Sequence, residues 1–161
     1  MQNTGRKCKV VAVSSQKGGV SKTTTTVNLG IGLVRAGKKV LLLDIDAQGN
    51  LTASMGIRES DRLEKTLATV IAAVMEGREV EPDFGILTHE EGVQFLPANI
   101  DLAAVEVSLI SAMGREYMLR EYIETVAPYY DYIIADCMPS LGMLTINALA
   151  AADTVLIPVQ A

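Results

Sequence analysis

The sequence predicts an α/β fold in which helices cover both faces of a mostly parallel, twisted sheet. Short runs of Val, Ile and Leu alternate along the chain with segments of helical periodicity, and strands that alternate with helices pair in parallel through right-handed crossovers. The composition is 49% hydrophobic but only 4% aromatic, which is typical of aliphatic strands buried on both faces. With 161 residues the chain can form one domain with its own core, and we expect residues 1–161 to be a single domain.

Each element follows from a local pattern. Apolar runs predict strands over residues 9–14, 39–44, 132–136 and 154–159, and two short strand pieces around a polar turn within 84–96. Apolar residues at helical spacing predict helices over 22–36, 63–75, 102–113, 116–126 and 144–152. No helix follows the last predicted strand to cover it, so we expect the natural domain to continue beyond Ala161.

Charge, cysteine content and hydropathy exclude several classes of protein. The net charge is -5 at pH 7, so bulk charge does not attract nucleic acid. The two cysteines, Cys8 and Cys137, and the single histidine, His89, lack the spacing of a zinc or iron–sulfur site and form no disulfide framework. No apolar run approaches the about 18 residues of a membrane-spanning helix. We therefore expect a cytoplasmic protein without stable membrane insertion.

A glycine-bearing loop joins the first predicted strand to the first predicted helix, and it reads Lys17, Gly18, Gly19, Val20, Ser21, Lys22, Thr23 and Thr24. Glycine lets the backbone approach an anion closely, and the amides and dipole of a helix N-terminus attract phosphate. We expect Lys22 to reach the β- and γ-phosphates of a nucleoside triphosphate and the Thr23 hydroxyl to hold Mg²⁺. The strict pattern of such loops is not met, because Gln16 and Ser21 stand at its two glycine positions. The alternative is an ordinary glycine turn capped by threonine.

Carboxylates follow two of the predicted strands. Asp44 ends the second strand and Asp46 lies two residues further, so alternation in an extended segment puts both side chains on one side. One of them could position a water and the other could hold the loop, and we expect Asp46 to belong to the nucleotide site. Asp136 ends a later apolar strand, the usual place of a Mg²⁺ partner in P-loop proteins. Because ligands bind beyond the carboxyl ends of parallel strands, Ser14, Asp44 and Asp136 are predicted to end adjacent strands at one shared site.

Together these motifs resemble those of the ParA/Soj/MinD ATPases. Segment 17–24 resembles the family's deviant Walker A motif, whose defining lysine precedes the glycine pair and is here Lys17. Residues 44–50 resemble the family's second motif, and residues 136–149 resemble its Walker B region and the helix that follows. The likeness is weakest between about 60 and 130, and residues 139–149 resemble the ParA and Soj partition proteins more than MinD.

The resemblance implies a P-loop NTPase fold and a slow, Mg²⁺-dependent ATPase of chromosome or plasmid partitioning. Such proteins act as switches that dimerise face to face around two ATP molecules. The resemblance implies that Lys17 reaches the partner's phosphates and that Asp44 orients the attacking water. It also implies that Thr23 and Asp136 organise Mg²⁺. The ATP-bound dimer is then expected to bind DNA non-specifically, and so to associate with the nucleoid, until a ParB-type partner stimulates hydrolysis.

Two departures from the family pattern matter. Ser21 replaces the family's third glycine, and Met138 replaces a proline. The Ser21 Cβ is expected to crowd or strain the loop, unless its hydroxyl bonds a phosphate oxygen or caps the helix. A nucleotide-dependent binding module with little turnover therefore stays open as an alternative. A MinD-like regulator at a membrane is a further alternative, which a C-terminal amphipathic helix would distinguish. Family members also continue beyond this length, into a part that carries adenine contacts and the DNA-binding surface.

Overall fold

The computed structural model describes residues 7–15 and 21–159, and these form one sheet with helices on both faces. The sheet has six strands in the order β3-β4-β2-β5-β1-β6. All neighbouring strands are parallel except the β3–β4 pair, which is antiparallel. The strands are β1 (Lys9–Val13), β2 (Val40–Ile45), β3 (Leu87–Thr88), β4 (Gln94–Leu96), β5 (Tyr132–Cys137) and β6 (Thr154–Leu156). The predicted fold class is confirmed.

The α-helices lie in the connections between strands, and short 3₁₀ turns precede α3 and flank α5. They are α1 (Lys22–Arg35), α2 (Asn50–Ser54), α3 (Leu67–Met75), α4 (Asp101–Leu109), α5 (Met118–Val126) and α6 (Met143–Ala151).

Four elements differ from the prediction by several residues. Helix α4 ends at Leu109 rather than at residue 113, and the other three differences have a visible structural reason. Helix α2 was not predicted, because five residues are too few to show helical periodicity. Helix α3 begins four residues later than predicted, because Thr66 is its N-cap residue and forms a capping box with Thr69. Strand β6 ends at Leu156 rather than at Val159, because its partner β1 ends at Val13, which is paired with Leu156.

The core lies in two layers, one on each face of the sheet. Alternate residues of β2 point to opposite faces, so that Leu41 and Leu43 pack with α3, α5 and α6 whereas Val40 and Leu42 pack with α1 and α2. All six β2 residues are buried. This explains why the strand reads as a continuous apolar run that is interrupted only by Asp44 near its end.

The strand order brings the predicted site residues together. Strand β5 lies between β1 and β2, and Asp136 is paired with Val13 on one side and with Asp44 on the other. Ser14 follows Val13 directly. The carboxyl ends of three adjacent strands therefore form one edge, as predicted. None of the helices in the described ranges has the length and apolar character needed to cross a bilayer.

Candidate functional site

The predicted phosphate loop is only partly within the described residues. Outside them lie Lys17, Gly18, Gly19 and Val20. The remainder of the loop, residues 21–24, runs into the first turn of α1 and lines a cleft of about 650 Å³. The cleft is also lined by Asp46, which follows β2, and by residues 137–140, which continue from the last residue of β5. The first amides of an α-helix have no acceptor within the helix, so this cleft combines helix N–H donors with the side chain of Lys22.

A second cleft, of about 500 Å³, lies between α3 and α5. It is lined by Arg78, Glu81 and Tyr122, among others, and contains none of the predicted site residues. The chemistry predicted from the sequence therefore converges on the cleft beside α1.

Thr23 and Asp136 form the closest link across the site. The Thr23 hydroxyl donates to Asp136 Oδ2 over 2.7 Å. One helical turn later, the Thr26 hydroxyl lies 2.9 Å from the Lys22 carbonyl oxygen and 3.3 Å from Asp136 Oδ1, so its single proton is shared between two acceptors. Thr26 was missed from the sequence, although its spacing of three from Thr23 places both hydroxyls on one helix face. The first turns of α1 are thereby attached to the end of β5.

The environment of Asp136 suits a cation. Burial raises the pKa of Asp136; hydrogen bonds from Thr23 and Thr26 lower it, the charge of Asp46 raises it, and Lys22 lowers it. A divalent cation beside the Thr23 hydroxyl would offset the free-energy cost of burying the Asp136 carboxylate. Hydroxyl and carboxylate oxygens are the hard ligands that Mg²⁺ prefers. The described ranges contain no group of three Asp, Glu, His or Cys arranged to hold a metal unaided. Mg²⁺ bound with substrate phosphates needs only one or two protein ligands, so the residues present fit it.

Asp44 lies beneath the cleft rather than in its wall. Its side chain is fully buried, with Oδ2 accepting hydrogen bonds from the Thr52 amide (2.9 Å) and hydroxyl (2.7 Å). Oδ1 accepts from the Asp46 amide over 3.2 Å. The Thr52 hydroxyl oxygen in turn accepts a hydrogen bond from the Ala98 amide over 2.9 Å. Asp44 therefore ties α2 and the segment after β4 to the end of β2. The role of Thr52 was not visible in the sequence, because α2 itself was not predicted.

Burial is also the main cause of a raised pKa at Asp44. Desolvation raises this pKa to about 7, against the lowering effect of the Thr52 hydrogen bonds, and the charge of Asp136 raises it further. A carboxyl group without access to water cannot contact a water in the cleft. The water-orienting role of Asp44 stays a prediction, and the geometry does not favour it.

Asp46 is the carboxylate that lines the cleft. It is partly exposed and follows β2, which ends at Ile45. Its Oδ1 accepts a hydrogen bond from the Gln48 amide over 3.0 Å. Its carbonyl accepts one from the amide of Gly49, which is the N-cap residue of α2 and has a φ of 66°. The expectation that Asp44 and Asp46 share one side stays a prediction, because β2 ends at Ile45 and strand alternation does not extend to Asp46. The two carboxylates differ in burial, since Asp44 is fully buried and Asp46 is partly exposed.

Ser21 adopts the left-handed conformation, with φ 59° and ψ 34°. It is the only non-glycine residue with positive φ in the ranges that the structure describes. Its carbonyl accepts the first helical hydrogen bond, from the Thr25 amide over 2.9 Å, but its hydroxyl makes no capping bond. The left-handed conformation costs an L-residue with a Cβ roughly 1–2 kcal/mol. The structure thus favours strain at Ser21 over the capping alternative.

Cys137 follows Asp136 and packs as a small apolar residue. Its side chain is buried, and burial together with the neighbouring Asp136 charge raises the pKa of the thiol to about 12. The thiol is therefore protonated at neutral pH and does not serve as a nucleophile.

Comparisons with known proteins identify the family of this chain. The AAA domain family AAA_31 matches residues 8–161. Over 152 residues the chain is 47% identical to the sporulation initiation inhibitor protein Soj of Bacillus subtilis, a match that covers 94% of this chain and 58% of Soj. It is 43% identical over 155 residues to the chromosome partitioning protein ParA of Myxococcus xanthus, covering 94% of this chain and 52% of that ParA. The chain thus spans about half the length of these curated relatives.

Two solved structures extend the comparison. One is described as cobyrinic acid a,c-diamide synthase from Mycobacterium smegmatis with bound ATP analog and magnesium; its TM-score is 0.87 at 43% identity, covering 94% of this chain and 60% of that one. The other is a plasmid partition protein from Borrelia burgdorferi, with a TM-score of 0.78 at 28% identity, covering 96% of this chain and 66% of that one.

Proposed function

This chain belongs to the AAA domain family AAA_31, alongside the ParA and Soj partition proteins, and we propose that it binds ATP with Mg²⁺ and hydrolyses it slowly as a partition switch. The observation that carries the proposal is the hydrogen bond from Thr23 to Asp136 at the N-terminus of α1, beside a cleft large enough for a nucleotide. A solved relative with 43% identity is described with an ATP analog and magnesium in place.

The roles of the chain's residues follow from where they lie. The amides of residues 22–24 and the Lys22 side chain bind the β- and γ-phosphates, because they combine helix donors with a positive charge. The Thr23 hydroxyl and Asp136 hold Mg²⁺, which when bound neutralises phosphate charge. By family resemblance, Gly18, Gly19 and Val20 complete the phosphate loop, and Lys17 reaches the phosphates of a second copy in an ATP-dependent dimer.

We assign the orientation of the attacking water to Asp46. It lines the cleft next to the phosphate-binding turn and is partly exposed, whereas Asp44 is fully buried. Asp44 acts on the site indirectly, because it holds the first turn of α2 and so the turn that carries Asp46. The sequence resemblance implied that Asp44 orients the water, so this assignment moves that role from Asp44 to Asp46.

The partners proposed for the whole protein come from the relatives. Soj and ParA are named for sporulation control and chromosome partitioning, and we propose a ParB-type partner and non-specific DNA, with nucleoid association when ATP is bound. The net charge of -5 gives this chain no general attraction for DNA, and three exposed arginines are paired with glutamates: Arg35 with Glu91, Arg62 with Glu59, and Arg78 with Glu76.

One observation favours a second candidate, a nucleotide-dependent binding module with little turnover. Ser21 holds a left-handed conformation directly before the phosphate-binding turn. Strain of about 1–2 kcal/mol at that position corresponds to roughly five- to thirtyfold in affinity or rate.

Binding and hydrolysis are tested with a fluorescent ATP analogue and a phosphate-release assay, each with Mg²⁺ and with EDTA. We expect Mg²⁺-dependent binding that Lys22→Ala weakens by at least about tenfold, because the charge on the phosphates is lost. Lys38→Ala is the matched control, since Lys38 is an exposed lysine beyond the opposite end of α1. Equal affinities for the chain and its Lys22→Ala variant would refute the assigned site. Binding without detectable phosphate release would favour the low-turnover candidate.

A further inference from the structure

The N-terminus of α6 is held by a side chain from another helix. Helix α6 begins at Met143, and its N-cap residue, Gly142, has no side chain to cap it. Instead, the Leu144 amide donates to Oε1 of Glu106, on α4, over 3.3 Å. A carboxylate at this place also faces the positive end of the helix dipole, so that both the hydrogen bond and the charge stabilise the first turn.

Gly142 matters for the space that it leaves rather than for its backbone conformation. Its φ of -72° and ψ of 173° are open to any residue. A Cβ at position 142, however, would overlap Oε1 of Glu106 and crowd its carboxyl carbon. The glycine therefore leaves the room into which the Glu106 carboxylate fits, and an alanine there would displace the carboxylate from the α6 amide.

This contact fixes one end of a segment that lines the nucleotide cleft. Residues 137–140 form part of the cleft wall, and only Leu141 and Gly142 separate them from α6. The other end of the segment is Asp136, which is held by Thr23. The cleft wall is thus anchored by a hydrogen bond to α1 at its start and by a hydrogen bond to α4 at its finish.

We propose that Glu106 is a positioning residue for the nucleotide cleft, which pins the first turn of α6 and thereby holds residues 137–140 in the cleft wall, and that Gly142 is the residue that admits its carboxylate. Only the effect of Glu106 on nucleotide binding rests on the proposed function. The anchoring itself is a property of the protein without ligand. Glu106 touches neither the phosphate-binding turn nor Asp136, so its effect on nucleotide passes through the segment.

The test is a double-mutant cycle with Glu106→Ala, Gly142→Ala and the pair together, read by amide hydrogen exchange without nucleotide and by affinity for a fluorescent ATP analogue with Mg²⁺. Each single variant should speed exchange at Leu144 and at Ile146, whose amide donates to the Gly142 carbonyl, by roughly five- to tenfold, as expected for loss of a helix cap, and should weaken nucleotide binding several-fold. The double variant should be no worse than the worse single one, because both remove the same contact. Glu106→Gln retains an acceptor and should recover part of both effects.

Ser108→Ala is the matched control on the same helix, because Ser108 is exposed and its hydroxyl bonds only to the Ala104 carbonyl of its own helix. Additive effects of the two substitutions, or unchanged exchange in Glu106→Ala, would overturn the proposal. Faster exchange with unaltered nucleotide affinity would reduce Glu106 to a structural cap and would also overturn it. If the parent chain binds no nucleotide, the proposed function fails, whereas the exchange measurements at Leu144 and Ile146 still decide whether Glu106 and Gly142 anchor the first turn of α6.

Discussion

The hydroxyl of Thr23 donates a 2.7 Å hydrogen bond to the carboxylate of Asp136, although the two residues are 113 positions apart in the sequence. The bond joins the first turn of α1 to the end of β5. It therefore couples the first turn of α1 to the segment of residues 137–140, and both line the same cleft. Mg²⁺ held by Thr23 and Asp136 would therefore act on both of these segments together.

The first prediction concerns the Thr23 hydroxyl. Thr23→Ala removes an oxygen ligand and should weaken Mg²⁺-dependent binding of a fluorescent ATP analogue by roughly tenfold or more. Thr23→Ser keeps the hydroxyl and should bind within a few-fold of the parent chain. With EDTA in place of Mg²⁺, the three proteins should bind alike. A loss of affinity in Thr23→Ala that persists in EDTA would show that the hydroxyl supports the loop rather than the metal ion.

The second prediction concerns the backbone at Ser21. Because φ is 59° there, Ser21→Gly should raise the free energy of unfolding by about 1 kcal/mol and should tighten nucleotide binding or speed phosphate release. Ser21→Ala should match the parent chain, since the hydroxyl makes no capping bond. Urea unfolding and analogue titration measure the two effects. A clear loss in Ser21→Ala would mean that the hydroxyl contacts the nucleotide and that the protein has adapted this loop to serine.

The third prediction separates the two aspartates after β2. Asp44→Ala leaves the buried Thr52 amide without its acceptor and should lower the free energy of unfolding by roughly 1–3 kcal/mol. Asp46→Ala should leave stability within about 0.5 kcal/mol and nucleotide affinity within a few-fold, while phosphate release falls at least about tenfold. The opposite pattern, a stable Asp44→Ala protein that binds ATP but does not hydrolyse it, would restore the water-orienting role to Asp44.

The fourth prediction is a pH dependence of stability. Burial raises the pKa of Asp44 to about 7, from 3.8, so between roughly pH 4 and 7 the native state keeps a proton that the unfolded chain releases. The contribution of Asp44 to the free energy of unfolding must then fall as pH rises through this window, by at most about 1.4 kcal/mol per pH unit. The raised pKa of Asp136 acts in the same direction.

Asp44→Asn imitates the protonated carboxyl and should make the free energy of unfolding fall less steeply between pH 5 and 7.5 than it does in the parent chain. Denaturant unfolding at several pH values in this range measures the two slopes. Asp83→Asn, which alters an exposed carboxylate away from the cleft, should keep the parent slope. Identical slopes for the parent chain and Asp44→Asn would show that Asp44 is ionised throughout the window.

Some of the site could be predicted from the sequence because its signals are local. A threonine and a lysine at the start of a helix, after a glycine-bearing loop, indicate a phosphate site wherever they occur, and Asp136 was recognisable as a carboxylate after an apolar strand. The contacts of Thr52 and Glu106 leave no such local signal. Thr52 lies on a five-residue helix, and Glu106 meets the α6 amide 38 residues further along the chain.

The sequence by itself determined the fold class, since strands buried on both faces must read as continuous apolar runs and helices between them must show apolar residues at helical spacing. It also predicted that Asp44 and Asp136 lie at the ends of adjacent strands, and the pairing of β2 with β5 places them opposite each other, one residue before the strands end. Only the tertiary structure decided which carboxylate lines the cleft, because strand alternation stops at Ile45 and the turn into α2 then orients Asp46. The tertiary structure likewise decided the left-handed conformation of Ser21, since the backbone angles at a loop–helix junction depend on where both neighbours are anchored rather than on the residue itself.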